Sequence, residues 1–111
     1  MEKSKVYLLI EIIEYVPNSV VTKTIMKKTT GTVSIAAIDK GKIFTKKISA
    51  FDTFIQIIEG SAEVLIDKKI NILNTGEGII IPAHTSNNVK AKERFKMIST
   101  IVFSGYEAFS I

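Results

Sequence analysis

The chain is predicted to be all-β, folded as an antiparallel sandwich or barrel. Short runs rich in β-branched residues recur along its 111 residues, with turn signals roughly every 7–12 residues. Nothing of the length of a crossover helix lies between them, which excludes a parallel sheet. Hydrophobic residues make up 46% of the chain and charged residues 23%, enough apolar material for one core and too little charge for a disordered chain.

Taken in order, residues 7–14 place Leu8, Leu9, Ile12 and Ile13 near helical spacing with Glu11 and Glu14 off the stripe, which predicts a short N-terminal helix or turn. Pro17, Asn18 and Ser19 end it. Residues 20–26 are β-branched and read as a strand. Residues 32–38 alternate, Val33, Ile35 and Ala37 on one face and Thr32, Ser34 and Ala36 on the other. After a turn at Asp39, Lys40 and Gly41, short strands are expected at 44–48 and 53–58, the second stopping at Glu59 and Gly60. Strands at 62–66 and 70–73 flank an Asp67-Lys68-Lys69 turn. The loop 74–78 leads to a strand at 78–81 that Pro82 stops, since proline has no N–H for a ladder. Residues 84–88 are polar, 89–91 are a short strand and 95–103 a long one, making about nine strands in all. Tyr106, Phe109 and Ile111 in the tail 104–111 are expected to pack on the barrel or on a partner.

Composition excludes several functions. There is no cysteine, hence no disulfide framework, thiol nucleophile or cysteine-ligated zinc. The net charge of +4 comes with 14 lysines and 20 isoleucines, a joint excess that AT-rich coding DNA produces. The pairs Lys27-Lys28, Lys46-Lys47 and Lys68-Lys69 are scattered and lack interleaved aromatics, so no nucleic-acid partner is expected. The N-terminal apolar run is interrupted by Glu11 and Glu14 and lacks a cleavage signal, and no stretch approaches the ~20 residues of a membrane span. A cytoplasmic protein without membrane partners is the expectation. No GxSxG, Walker or GxGxxG motif is present.

Two stretches carry more information. Residues 41–60 run from Gly41 through Lys47, Ser49, Asp52, Thr53 and Gln56 to Gly60, and residues 76–88 from Gly76 and Gly78 through Pro82 and His84 to Asn87 and Asn88. Their spacing resembles the two motifs of the cupin superfamily. The phrase 51–60 followed by Ala62-Glu63-Val64, with Ile81-Pro82-Ala83 and Arg94-Phe95-Lys96-Met97, is similar to the small single-domain cupins of the cupin 2 type. The resemblance implies a double-stranded β-helix, or jelly-roll barrel, as one domain over 1–111. Its core would span 20–103, with an N-terminal segment 1–19 and the tail 104–111. It also implies a homodimer.

In metal-binding cupins the first motif supplies His-x-His and Glu, and the second a His. By the resemblance those positions here hold Lys47, Ser49, Thr53 and Asn87. None is a strong ligand for a divalent transition ion, and a protonated lysine repels one, so no metal and no cofactor is expected. His84 is the only histidine, and one histidine cannot build a zinc site. It reads as a rim residue making a local hydrogen bond, as a proton carrier at the barrel mouth, or, if the loop slips, as an inward group. Lys47 reads either as an exposed edge lysine or as an inward cation that holds an anion. Ser49, Thr53, Gln56 and Asn87 are neutral hydrogen-bonding groups. Glu59, Glu63 and Asp52 read as solvated or turn-capping, with a polar pair between Asp52 and Lys47 as a further option. The function expected is a metal-free cupin binding a small anionic or polyhydroxylated molecule through Lys47, Ser49, Thr53, Asn87 and His84. Two alternatives stay open: a metal-independent isomerase or lyase using Lys47 or His84, and a dimeric interaction module with a filled barrel.

Overall fold

The computed structural model describes residues 1–45 and 48–103; Lys46, Lys47 and the tail 104–111 lie outside the described residues. Nine strands are present among them: β1 (Val20–Lys28), β2 (Gly31–Ile38), β3 (Ile43–Phe44), β4 (Thr53–Glu59), β5 (Ser61–Ile66), β6 (Lys69–Asn74), β7 (Gly78–Ile81), β8 (Asn87–Lys90) and β9 (Phe95–Val102). They form a five-stranded sheet in the order β1-β2-β9-β4-β7 and a four-stranded sheet in the order β3-β8-β5-β6. Every pairing is antiparallel. The expected barrel is thus two facing sheets, and among the described residues no ladder joins one sheet to the other.

The two-residue period of a strand explains how the core is divided. Ala36 and Ile38 from β2, Ile55 and Ile57 from β4, and Phe95 and Met97 from β9 point between the sheets, where they meet Ala62, Val64, Leu73 and Val89 of the smaller sheet. Residues of opposite parity, Ile35, Ala37 and Ile98, form a second buried cluster with Ile13. The apolar face of 32–38 therefore turns away from the sandwich interior, and Ala36, assigned by alternation to the more polar face, turns inward. The inner face of the larger sheet is covered by the smaller sheet, and part of its outer face, around Ile35, Ala37 and Ile98, by the N-terminal segment, whereas Phe54 and Ile80 on β4 and β7 stay exposed.

That covering role explains why, of the expected helix or turn, the turn is what forms. Only a 3-10 turn forms, at Leu9–Glu11, preceded by an extended Leu8 that gives no side-chain cap. The isoleucines at 10, 12 and 13 carry little helix propensity. They gain more by lying as a strap, with Ile12, Ile13 and Tyr15 packed over the outer face of the sheet. Of the strand expected at 44–48, Phe44 is paired to β8 together with Ile43 before it, Thr45 and Ile48 are outside any strand, and positions 46 and 47 lie outside the described residues.

The strap is fastened by Lys96. This side chain is only 7% exposed although it sits on the outer face of β9. Its ammonium donates to the Ile10 carbonyl, lies 3.6 Å from the Glu59 carboxylate and sits 4.9 Å from the centre of the Tyr15 ring. Arg94 stacks on the same ring at 4.6 Å. Glu59 thus pairs with a buried lysine rather than simply capping its turn. The Tyr15 hydroxyl is buried with no hydrogen-bond partner among the described residues. Burial, reinforced by Glu59 and opposed by Arg94, pushes its pKa up from 10.0 to about 12. The folded state then holds this proton where the unfolded chain has lost it, so the contribution is complete below pH 10 and drains away as pH rises toward about 12. Tyr15→Phe removes an unpaired hydroxyl and is expected to leave stability unchanged or raise it by up to about 1 kcal/mol at pH 7. Melting temperatures of both proteins from pH 8 to 11.5 check this: the advantage of the variant should widen above pH 10.

Candidate functional site

Packing between the sheets changes along their length. Inward residues of β9 run Phe95, Met97, Ser99, Ile101, and the register sets Met97 opposite Ile57, Ser99 opposite Ile55 and Ile101 opposite Thr53. At the Phe95 end large side chains fill the interior, with Phe95, Ile38 and Ile57 at most 1% exposed. Toward the other end the side chains shrink, and a cavity of about 260 Å³ opens. Ile55, Val89 and Met97, each at most 2% exposed, form its deepest apolar wall, and Phe44, Phe51, Ile81, Pro82 and Ile101 complete the apolar lining.

Four polar residues line this cavity: Ser49, Thr53, Asn87 and Ser99. Three of them, Ser49, Thr53 and Asn87, are positions singled out in the sequence. Thr53 opens β4 opposite both Ile81 and Ile101 and is buried, 8% exposed. Asn87 opens β8 just after the loop that follows Pro82, and its amide donates to the Thr85 carbonyl at 3.1 Å. The Ser49 hydroxyl accepts the Phe51 N–H at 3.0 Å. Among the described residues no charged side chain lines the cavity.

The mouth is framed by two segments stitched together. The His84 N–H donates to the Ser49 carbonyl at 2.7 Å, and the Ala83 N–H donates to Asp52 Oδ1 at 2.8 Å. Asp52 therefore orders the rim. Phe51 leans edge-on against Phe103, with ring centres 5.5 Å apart. His84 itself does not line the cavity, and its backbone holds a left-handed φ of 58°. Its contribution is through its N–H. Gln56, also weighed in the sequence, is exposed. Glu63 pairs with Lys92 at 2.9 Å, away from the cavity. Lys47, and with it any pairing to Asp52, lies outside the described residues.

Sequence reasoning missed Phe44, Phe51, Met97, Ser99 and Ile101. The last three share the parity of Phe95, so carrying the two-residue period of β9 across the sandwich would have found them.

The donor set does not fit a transition metal. Hydroxyls and a carboxamide are weak ligands for such ions. Among the described residues no group of three His, Cys, Asp or Glu side chains comes together anywhere. Nor, among the described residues, is any helix long and apolar enough to cross a membrane.

Comparison with known proteins follows the fold. No protein-family model and no curated protein matches the sequence. Solved structures do. A conserved protein of unknown function from Streptococcus pyogenes superposes with a TM-score of 0.87 at 24% identity, over 96% of this chain and 93% of that one. A cupin superfamily protein from Desulfitobacterium hafniense gives 0.87 at 21%, over 94% and 95%. A cupin 2 conserved barrel domain protein from Leptotrichia buccalis gives 0.82 at 26%, over 86% of this chain and 47% of that one. The chain has the fold of the cupin-superfamily barrel proteins.

Proposed function

We propose that the protein binds a small molecule in the cavity between its sheets, without a transition metal, and that Ser49, Thr53 and Asn87 engage the polar part of that molecule. One observation carries the reading: three positions picked by the resemblance, two from the first motif and one from the second, line one concave site whose remaining lining is almost wholly apolar. A lysine at position 47 would add a cation to the same group of positions, as the resemblance implies, and so favour an anionic ligand over a polyhydroxylated one. A polyol needs many hydrogen-bond partners, and eight of the twelve lining residues offer none from their side chains. The filled-barrel alternative draws no support from an interior with this much space, and a His84 outside the lining gives none to proton transfer within the cavity. The resemblance also implies a homodimer, for which exposed Ile43, Ile70, Ile72 and Ile80 supply apolar surface.

A thermal-shift screen of small acids, alcohols and sugars on the full chain tests the reading. A compound that raises the melting temperature of the wild type should lose most of that effect in Asn87→Leu, and an anionic one also in Lys47→Ala. Stabilisation that survives both substitutions places the ligand elsewhere and removes the proposal.

A further inference from the structure

The polar lining gathers toward one end, with Ser99 as the single hydroxyl deeper in, opposite Ile55, and this deepens the proposed function, on which it rests, by naming the ligand's shape and chemistry. Ser49, Thr53 and Asn87 all belong to the end where β4 begins, β7 stops and β8 starts. The hydrogen bond from His84 N–H to the Ser49 carbonyl ties the loop carrying Ser49 to that end. Below them the walls are Ile55, Val89 and Met97, each no more than 2% exposed to solvent. A sugar or other polyol pushed to that depth would meet one side-chain hydroxyl, that of Ser99, and leave most of its own hydroxyls unpaired against hydrocarbon. A molecule with an apolar body and one polar head would satisfy both ends.

Size narrows the class further. The volume is about 260 Å³. An apolar cavity of ~150 Å³ already accepts benzene, so this one has room for a ring and a short substituent. The two phenylalanines and the thioether among the lining residues, Phe44, Phe51 and Met97, are surfaces that favour a ring, through edge contacts and sulfur–aromatic contact. We infer that the ligand is a single-ring amphiphile with one polar substituent, its ring against Ile55, Val89 and Met97 and its head at Thr53 and Asn87.

Benzyl alcohol, toluene and ribose serve as probes, read by the methyl NMR signals of Met97 and Ile55 in the full chain. Benzyl alcohol should shift both signals saturably, with an affinity at least tenfold above that of ribose. Thr53→Val keeps the shape and removes the hydroxyl. It should weaken benzyl alcohol about fivefold, within the range for one hydrogen bond, and leave toluene unchanged or tighter. If ribose binds there as well as benzyl alcohol, the cavity reading stands and the amphiphile inference falls. If none of the three moves either methyl signal, the amphiphile inference falls, and the cavity reading falls with it only if no acid of the thermal-shift screen moves them either. Equal weakening of toluene and benzyl alcohol in Thr53→Val would overturn the assigned orientation.

Discussion

Gly60→Ala should cost about 3–5 kcal/mol, a large share of the ~5–15 kcal/mol that holds a typical domain folded. Gly60 turns the chain from β4 to β5 with φ of 82°, a left-handed conformation that costs an L-residue about 1–2 kcal/mol. Most of the loss is steric. A Cβ there would lie 2.5 Å from the Arg94 carbonyl oxygen and 3.1 Å from the Phe95 Cα. These are backbone atoms at the start of β9, so no rotamer change relieves the contact. Either the turn or the β4–β9 pairing must open. Gly76 supplies the control, because its φ of 88° is equally left-handed but a Cβ there meets nothing within 4 Å. Gly76→Ala should therefore cost only the conformational ~1–2 kcal/mol. Urea denaturation of the two variants checks the difference, and equal losses would show that β9 does not press on the turn.

Phe95→Ala should cost a similar ~3–5 kcal/mol, for a different reason. Phe95 is fully buried at the packed end of the sandwich, among Ile38, Ile57 and their neighbours. Removing its ring forfeits its transfer energy and leaves a void that rigid strands on both sides cannot close. Ile101 lies on the same face of the same strand but borders the cavity, so it already lacks contacts on one side. Ile101→Ala should cost less than half as much. Comparable losses at the two positions, again by urea denaturation, would mean that both ends are equally well packed. The Phe95 and Gly60 substitutions are neighbours and should not add simply, but shortening Phe95 removes neither the Arg94 oxygen nor its own Cα from Gly60.

The strands were legible in the sequence because turn residues punctuate β-branched runs. The run from Gly78 to Ile81, closed by Pro82, is recovered in its bounds, although its apolar run reads as a buried strand and only Ile81 is buried, since Ile80 on the outer face is exposed. The N-terminal segment was legible as a short helix or turn but not as a strap. Its spacing of Leu8, Leu9, Ile12 and Ile13 is a local signal, whereas its conformation is set by an outer sheet face that only the assembled fold creates. For the same reason nothing at Lys96 marks it as buried, since its partners Ile10, Tyr15 and Glu59 come from a strap and a neighbouring strand. In the site, Ser49, Thr53 and Asn87 were legible through motif spacing, which reports position along the chain. The apolar depth at Val89 and Met97 was not, because a residue lining a cavity and a residue filling a core carry the same hydrophobic signature. His84 shows the converse: a side chain that attracts attention by its chemistry serves the rim through its N–H.

A crystal structure of the full chain grown in benzyl alcohol probes the interior site most directly. Ring density should lie between Met97 and Ile55, with the hydroxyl within hydrogen-bond distance of Thr53 or Asn87. Crystals in which Ser49, Thr53 and Asn87 surround a bound transition ion, or in which all three turn out to solvent, would refute a metal-free binding cavity.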